Sequence, residues 1–421
     1  MPDPSPAGAR AKPNVLSRLG LQLSTFDALK NEHFRYYWWG RLCSSASINM
    51  LTVGQGWLVY QLTGSALALS WVTSARNIIM FFLSFYGGVI SDRFPKRHVI
   101  VITRAGSALS AVAIALVITF GQIQVWHLVV LSIVSGLLGS FMTPAEQSIV
   151  AELVERKTLL NAVSLNAIGM GLTGLFSSAL AGVIVDTVGA QGVFWIMGGL
   201  YVAAVLFHSH LPVVWPKRAS SRTVWHDLSD GARYVRSQRA LLGLLTICLG
   251  RVLFAQPYTT LLPKFTAETL GLSATGLGLL VGAPSIGALF SSVSLASLKS
   301  FHRKGLALLS SALFTGLLLL GALHATWVPV LMLMLALVGV GSNTCMVCNN
   351  TLLQGNSDPR YQGRVMAVYM MMWGLTFLGT IPAGWLADRI GVPWTVTLQG
   401  VGLSLTAIGV MLWQPALRKL E

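Results

Sequence analysis

A chain of 421 residues that is 54% hydrophobic and only 10% charged cannot cover itself with a polar surface; a soluble domain carries about 25% charged residues. With a mean hydropathy of +0.66, most of its surface must face lipid, which excludes a string of ordinary soluble domains. The net charge of +15 does not point to nucleic acid, because the basic residues sit in short turns and are not interleaved with stacking aromatics along one face.

Residues 1–34 read as a cytoplasmic tail, without the apolar core of a cleavable signal, so the first apolar segment is expected to direct insertion. A short amphipathic helix is expected from Phe26 to Arg35. Twelve apolar segments then follow, each near the twenty or so residues that a bilayer requires. They are predicted over 36–60, 68–91, 99–120, 126–150, 162–185, 191–212, 241–263, 275–297, 305–323, 328–353, 362–387 and 393–413, and are numbered spans 1 to 12. Tight turns such as "LTGSA", "FGQIQ", "TVGAQ" and "DRIGV" join them. The organisation expected is an N-terminal bundle over 35–212, a connector over 213–240, a C-terminal bundle over 241–413 and a tail over 414–421.

If the N-terminus is cytoplasmic, the tails, the even-to-odd connections and the span ends beside them hold all but four of the 29 Lys and Arg. Arg76 and Arg251 lie inside spans, and Lys264 and Arg389 lie on the opposite side. This asymmetry predicts both termini inside, in a multi-pass protein of the cytoplasmic membrane.

The connection between spans 2 and 3, "GGVISDRFPKRHVI", gathers Asp92, Arg93, Lys96 and Arg97. Orientation accounts for the three basic residues. It does not account for Asp92 or Gly88, since acidic residues contribute little to topology.

Spans 5 and 11 end alike. "AGVIVDTVG" (181–189) and "AGWLADRIG" (383–391) align without a gap, matching Gly182 with Gly384 and Asp186 with Asp388. The same motif at the same end of the same span in each half suggests a parallel repeat. In the connector, Trp225, Leu228, Ala232 and Val235 share a helical face from which Arg233, Arg236 and Arg239 are absent, as in a helix lying on the inner membrane surface.

Intramembrane ionisable residues are functional candidates because each is costly in lipid. Arg76 and Arg251 could contact substrate or a carboxylate, or bond backbone carbonyls. Glu146 could couple a proton or form a structural salt bridge. Asp186 and Asp388, at outer helix ends, suit capping. Cys345 and Cys348 have metal-ligand spacing, but no His or second pair stands near them, so no metal or other cofactor is expected. No phosphate-binding loop, zinc-protease motif or nucleophile elbow occurs, so neither an ATPase nor an enzyme is expected.

These motifs resemble the major facilitator superfamily. "GVISDRFPKR" (88–97) is similar to its loop between helices 2 and 3, with Pro95 in place of the second Gly and Lys96 in place of Arg. Further segments resemble the branch of enterobactin exporters and macrolide-efflux proteins: "NEHFRYYWWGRLCSS" from residue 31, "TPAEQSIVAELVERKTLLNAVSLN" (143–166), "HDLSDGARYVRSQRALLGLL" (226–245), "GRVMAVYMM" (363–371) and "PAGWLADRIG" (382–391). The Gly-Pro pair that often marks helix 5 in drug-efflux members is missing from "GLFSSALAG" (174–182).

The resemblance implies an all-α integral membrane protein of 12 transmembrane helices in two pseudo-symmetric six-helix bundles. It implies that Gly88 lets span 2 approach span 11, that Asp92 faces the start of span 11 near Gly363, and that Lys96 or Arg97 pairs with Glu146 or Glu152 only when the inner gate is closed, a latch that would favour the outward-facing state. It implies a cavity lined by spans 1, 4, 7 and 10, with Asn49, Gln55, Gln256, Tyr258, Asn343 and Asn349 as polar candidates beside Trp57, Gln147 and Asn350, and with Arg76 and Arg251. For each of these, interhelical bonding or core packing is the alternative. The function expected is secondary export of small amphipathic organic molecules, drug-like compounds or siderophores, by proton antiport. Import or facilitated passage on the same fold is the alternative. The partners expected are the substrate, protons and lipid, and the chain is expected to act as a monomer.

Overall fold

The computed structural model describes residues 28–155, 158–213, 215, 224–297 and 303–420. Most of the N-terminal tail and part of the connector lie outside the described residues, as does residue 421. Those described form helices joined by short turns, with no strand among them.

Eleven helical stretches are long and apolar enough to cross a membrane. Span 1, Glu32–Thr63, is the twelfth; it runs for 32 residues but carries too many polar groups to pass a hydropathy criterion. Those groups are satisfied by bonding back along the helix or to span 4. Ser44 donates to the Gly40 carbonyl, Ser47 to Cys43 and Asn49 to Ser45, while Gln55 reaches the Leu128 carbonyl and the Ser132 hydroxyl. Asn31 caps its start by accepting from the Phe34 N–H, and Gly64, at φ 63°, ends it. The amphipathic helix expected before span 1 is a single short turn at 28–30 that runs into it.

The remaining spans are Ala66–Arg93, Lys96–Thr119, Val125–Leu153, Leu159–Val188, Ala190–His208, Arg239–Thr269, Ala274–Ser297, Lys304–Ala322, Val328–Gly355, Gln362–Ile390 and Val392–Trp413. Two of them are broken. Span 7 passes through a π-helical turn at Arg251–Ala255, then Pro257, and ends in a second at Phe265–Thr269. Span 11 breaks after Gly374, where a Cβ would stand 2.8 Å from the backbone of Phe81 in span 2. Such interruptions re-aim side chains and concentrate at functional sites.

Packing repeats between the halves. Span 1 packs on span 6, span 2 on span 4, and span 3 on span 6; span 7 packs on span 12, span 8 on span 10, and span 9 on span 12. The halves meet chiefly through span 5 on span 8 and span 2 on span 11, pairings that the same internal two-fold exchanges. At the face opposite the termini, one apolar core runs through both halves, from Trp57, Leu69 and Ile184 to Phe265, Leu277 and Ala387. At the terminal face the cores are separate: Phe34, Ile100 and Ile149 belong to one, and Leu244, Leu308 and Leu352 to the other.

The connector helix, Val224–Ser237, does more than lie on a surface. Gly231 and Val235 are buried, and a Cβ on Gly231 would stand 2.9 Å from the Cβ of Arg364 at the start of span 11. Tyr234 stacks on Tyr361 at 4.3 Å and 6°, and its hydroxyl accepts from the Asp358 N–H. Ala232, expected on the buried face, is exposed, because the apolar face turns toward span 11. The side chains of Trp225 and Leu228 lie outside the described residues.

Candidate functional site: an inter-half cavity and its gates

Two adjoining cavities lie between the halves. The larger, about 520 Å3, is lined from spans 1, 2, 7 and 11, including Arg76, Asn77, Phe81, Gln256, Thr259 and Trp373. The smaller, about 180 Å3, is lined from spans 1, 2, 4 and 7, including Gln55, Ser132 and Pro263. Thr73, Arg76, Thr259 and Thr260 line both, so Arg76 stands where the two meet. The two broken spans flank this space: Gln256 follows the first π turn of span 7, and Gly374 and Thr376 bracket the break in span 11. The larger cavity has the size of a small-molecule site, with an apolar lining and a few polar groups.

Of the residues expected in the cavity, Gln55, Arg76 and Gln256 line it. Arg251 is buried behind it, its guanidinium 4.4 Å from the centre of the Trp373 ring, with Nη2 lacking a hydrogen-bond partner. The others are engaged elsewhere. Asn343 donates to the Ala288 carbonyl and the Ser292 hydroxyl of span 8, and Asn349 to the Leu244 carbonyl of span 7. Asn49 bonds within span 1, and Tyr258 is buried in the shared core. Neither cavity is lined by span 10; spans 2 and 11 supply lining that the resemblance did not suggest.

Glu146 is buried in the N-terminal half and engages two arginines. Arg104 of span 3 donates to one carboxylate oxygen at 2.6 Å, and Arg41 of span 1 pairs with the other. The Tyr37 hydroxyl donates to the Glu146 backbone carbonyl, tying span 1 to span 4 again. His208 is buried beside Gly40, where a Cβ would meet its ring at 2.5 Å. Arg104 was not singled out from the sequence, although an arginine within a predicted span is itself a signal.

In the connection between spans 2 and 3, Lys96 pairs with Glu152 of span 4. Both belong to the N-terminal half, so this pair does not join the halves, and it is formed although the cores of the two halves are separate at this face. Arg93 ends span 2 and is exposed, and Arg97 is half-buried in the first turn of span 3. Gly88 lies within span 2, but its packing and the Asp92 side chain lie outside what the structure describes.

At the opposite face, the repeated Gly-x-x-x-Asp joins the halves twice. Asp388, at the end of span 11, accepts from the Ala66 and Leu67 N–H groups and the Ser65 hydroxyl at the start of span 2. Asp186, at the end of span 5, accepts from the Ala274 and Thr275 N–H groups and the Ser273 hydroxyl at the start of span 8. Each carboxylate satisfies orphan N–H donors at a helix N-terminus in the other half. Lys264 adds a 2.6 Å ion pair to Asp388, and Tyr60 donates to Glu268.

Two helical bundles related by an internal two-fold, enclosing a cavity of small-molecule size, define a polytopic membrane transporter. The chain belongs to the Major Facilitator Superfamily, whose family model matches residues 37–379. Its sequence is 26% identical to the staphyloferrin A transporter of Staphylococcus aureus, over 83% of this chain and 88% of that one. It is 25% identical to the multidrug efflux pump Tap of Mycolicibacterium fortuitum (90% and 95%), and 24% identical to the enterobactin exporter EntS of Shigella flexneri (90% of each). In fold it is similar to the nucleoside transporter NupG (TM-score 0.73, 13% identity, 90% of this chain and 99% of that one). A bacterial homolog of the lysosomal transporter Spinster is also similar (TM-score 0.69, 12% identity, 96% and 98%).

Proposed function

We propose that the chain is a secondary active transporter that exports small amphipathic organic molecules, drug-like compounds or siderophores, across the cytoplasmic membrane by alternating access and proton antiport. The observation that carries this reading is the contrast between the two faces. At one, carboxylate caps and a continuous core join the halves; at the other, each half has its own core. That contrast suits a state closed on one side, with a cavity between the halves waiting for the other. The charge asymmetry makes the terminal face cytoplasmic, so the capped face is the outer one and the state is inward-facing. A multidrug efflux pump and an enterobactin exporter among the relatives favour export over import.

The loop from Gly88 to Arg97 acts in this reading as the inner gate, with Lys96 held to Glu152 as its anchor. Glu146 is the candidate for proton coupling. Clamped between Arg41 and Arg104, its carboxylate ties spans 1 and 3 to span 4, so a change in its charge would act on how those spans move.

The test is efflux from cells expressing the protein, loaded with dyes of both charge signs, with and without a protonophore. Energised efflux that the protonophore abolishes supports the proposal. Energised accumulation favours import, and rates equal to those of cells lacking the protein contradict transport of this class.

A further inference from the structure

The charges around the cavity carry more than its size. Arg76 lines both chambers, and among the described residues no carboxylate lines either. Among the described residues, no hydrogen bond or ion pair holds its guanidinium. Three carboxylates described within the bundles are committed elsewhere: Glu146 to Arg41 and Arg104, Asp186 and Asp388 to the caps. Arg251 adds a second buried cation behind Trp373, with one nitrogen unpartnered.

An unpaired guanidinium in a low-dielectric interior is costly. It becomes favourable when an anion completes it, and the planar fork suits a carboxylate, sulfonate or phenolate oxygen in particular. Hydroxyl and amide donors on Thr73, Asn77, Gln256, Thr259 and Thr260 stand around the same space, while Met80, Phe81 and Trp373 offer apolar and aromatic surface. An organic cation would find no counter-charge among the described lining residues and would meet Arg76 where like charges repel strongly.

We infer that the cavity binds amphipathic organic anions, with Arg76 as the residue that holds the anionic group and selects against cations. This rests on the transporter reading above and narrows its substrate class. Trp373, backed by Arg251, presents an aromatic wall with a positive charge behind it, placing the substrate body beside the second cation.

The experiment uses the full chain in phosphatidylcholine nanodiscs and two probes that share a xanthene core: fluorescein, an anion, and rhodamine 6G, a cation. Binding is read by fluorescence polarisation against empty nanodiscs. Saturable fluorescein binding, at least tenfold tighter than that of rhodamine 6G, is expected. Arg76→Gln should weaken fluorescein binding at least tenfold, and Arg76→Lys, which keeps the charge but not the fork, should fall between wild type and Arg76→Gln. Rhodamine 6G binding as tightly as fluorescein, or no saturable fluorescein binding, would overturn the inference from the wild-type protein alone. So would unchanged fluorescein affinity in a folded Arg76→Gln protein. Reconstituted into liposomes, a protein that moves only the cation keeps the transporter reading and loses the anion site. A protein that binds fluorescein yet moves neither probe keeps the site and loses the transporter reading.

Discussion

The Asp388 carboxylate, at the end of span 11, accepts the Ala66 backbone N–H at 2.8 Å, so a helix of one half is capped by a side chain of the other. Asp186 repeats the contact with Ala274 at 3.1 Å. Both caps depend on the glycine one turn earlier. A Cβ at Gly384 would stand 2.6 Å from the Ala66 carbonyl, and one at Gly182 would stand 2.3 Å from the Ala274 carbonyl. The motif is therefore one device: glycine brings the helices together and aspartate ties them.

Gly182→Ala should thus push span 5 from span 8, at a cost of about 1–3 kcal/mol, the usual range for overpacking. Its thermal midpoint in detergent should fall. Gly199→Ala, on span 6 where a Cβ meets open space, should change stability by only about 0.5 kcal/mol. Equal midpoints for the two variants would show that the close approach is not constraining.

Glu146→Gln leaves Arg104, 1% exposed, without its charge partner. Breaking a buried pair in this way costs about 3–5 kcal/mol. The variant should unfold at lower temperature, and Glu146→Gln combined with Arg104→Gln should recover part of the loss. A single variant as stable as wild type would mean that the pair does not tie spans 3 and 4.

The connector helix is held to span 11 by the ring stack of Tyr234 on Tyr361 and by the Asp358 N–H. Tyr234→Ala should loosen it by about 1–2 kcal/mol, read as faster hydrogen exchange over 224–237. Unchanged exchange would place the restraint elsewhere, on the Arg364 to Asp230 pair for instance.

Twelve spans and the repeat were legible because each leaves a local trace, apolar length and a nine-residue match, whereas the pairing of Lys96 with Glu152 came from the family resemblance, which left Arg97 and Glu146 as alternatives. Asp186 and Asp388 were legible as caps, but not the helices they cap, because those lie in the other half, 88 and 322 residues away. The cavity was least legible. Asn343 and Asn349 look like site residues in sequence, yet each turns to a neighbouring helix. Thr259 and Trp373 carry no signal of their own and line the cavity beside the breaks in spans 7 and 11.

The most direct test of alternating access gated by the paired caps is a spin-label distance across the capped face. Labels at Thr187 and Thr269, both exposed and in different halves, would be measured in nanodiscs after the four cysteines are replaced by serine. A carboxylate at a helix N-terminus is worth about 0.3–2 kcal/mol, so losing both caps should move the open-to-closed ratio about tenfold. The account predicts a predominant short distance in wild type and, in Asp186→Asn with Asp388→Asn, a longer distance whose population relative to the short one rises about tenfold. The same short distance in both proteins would contradict it.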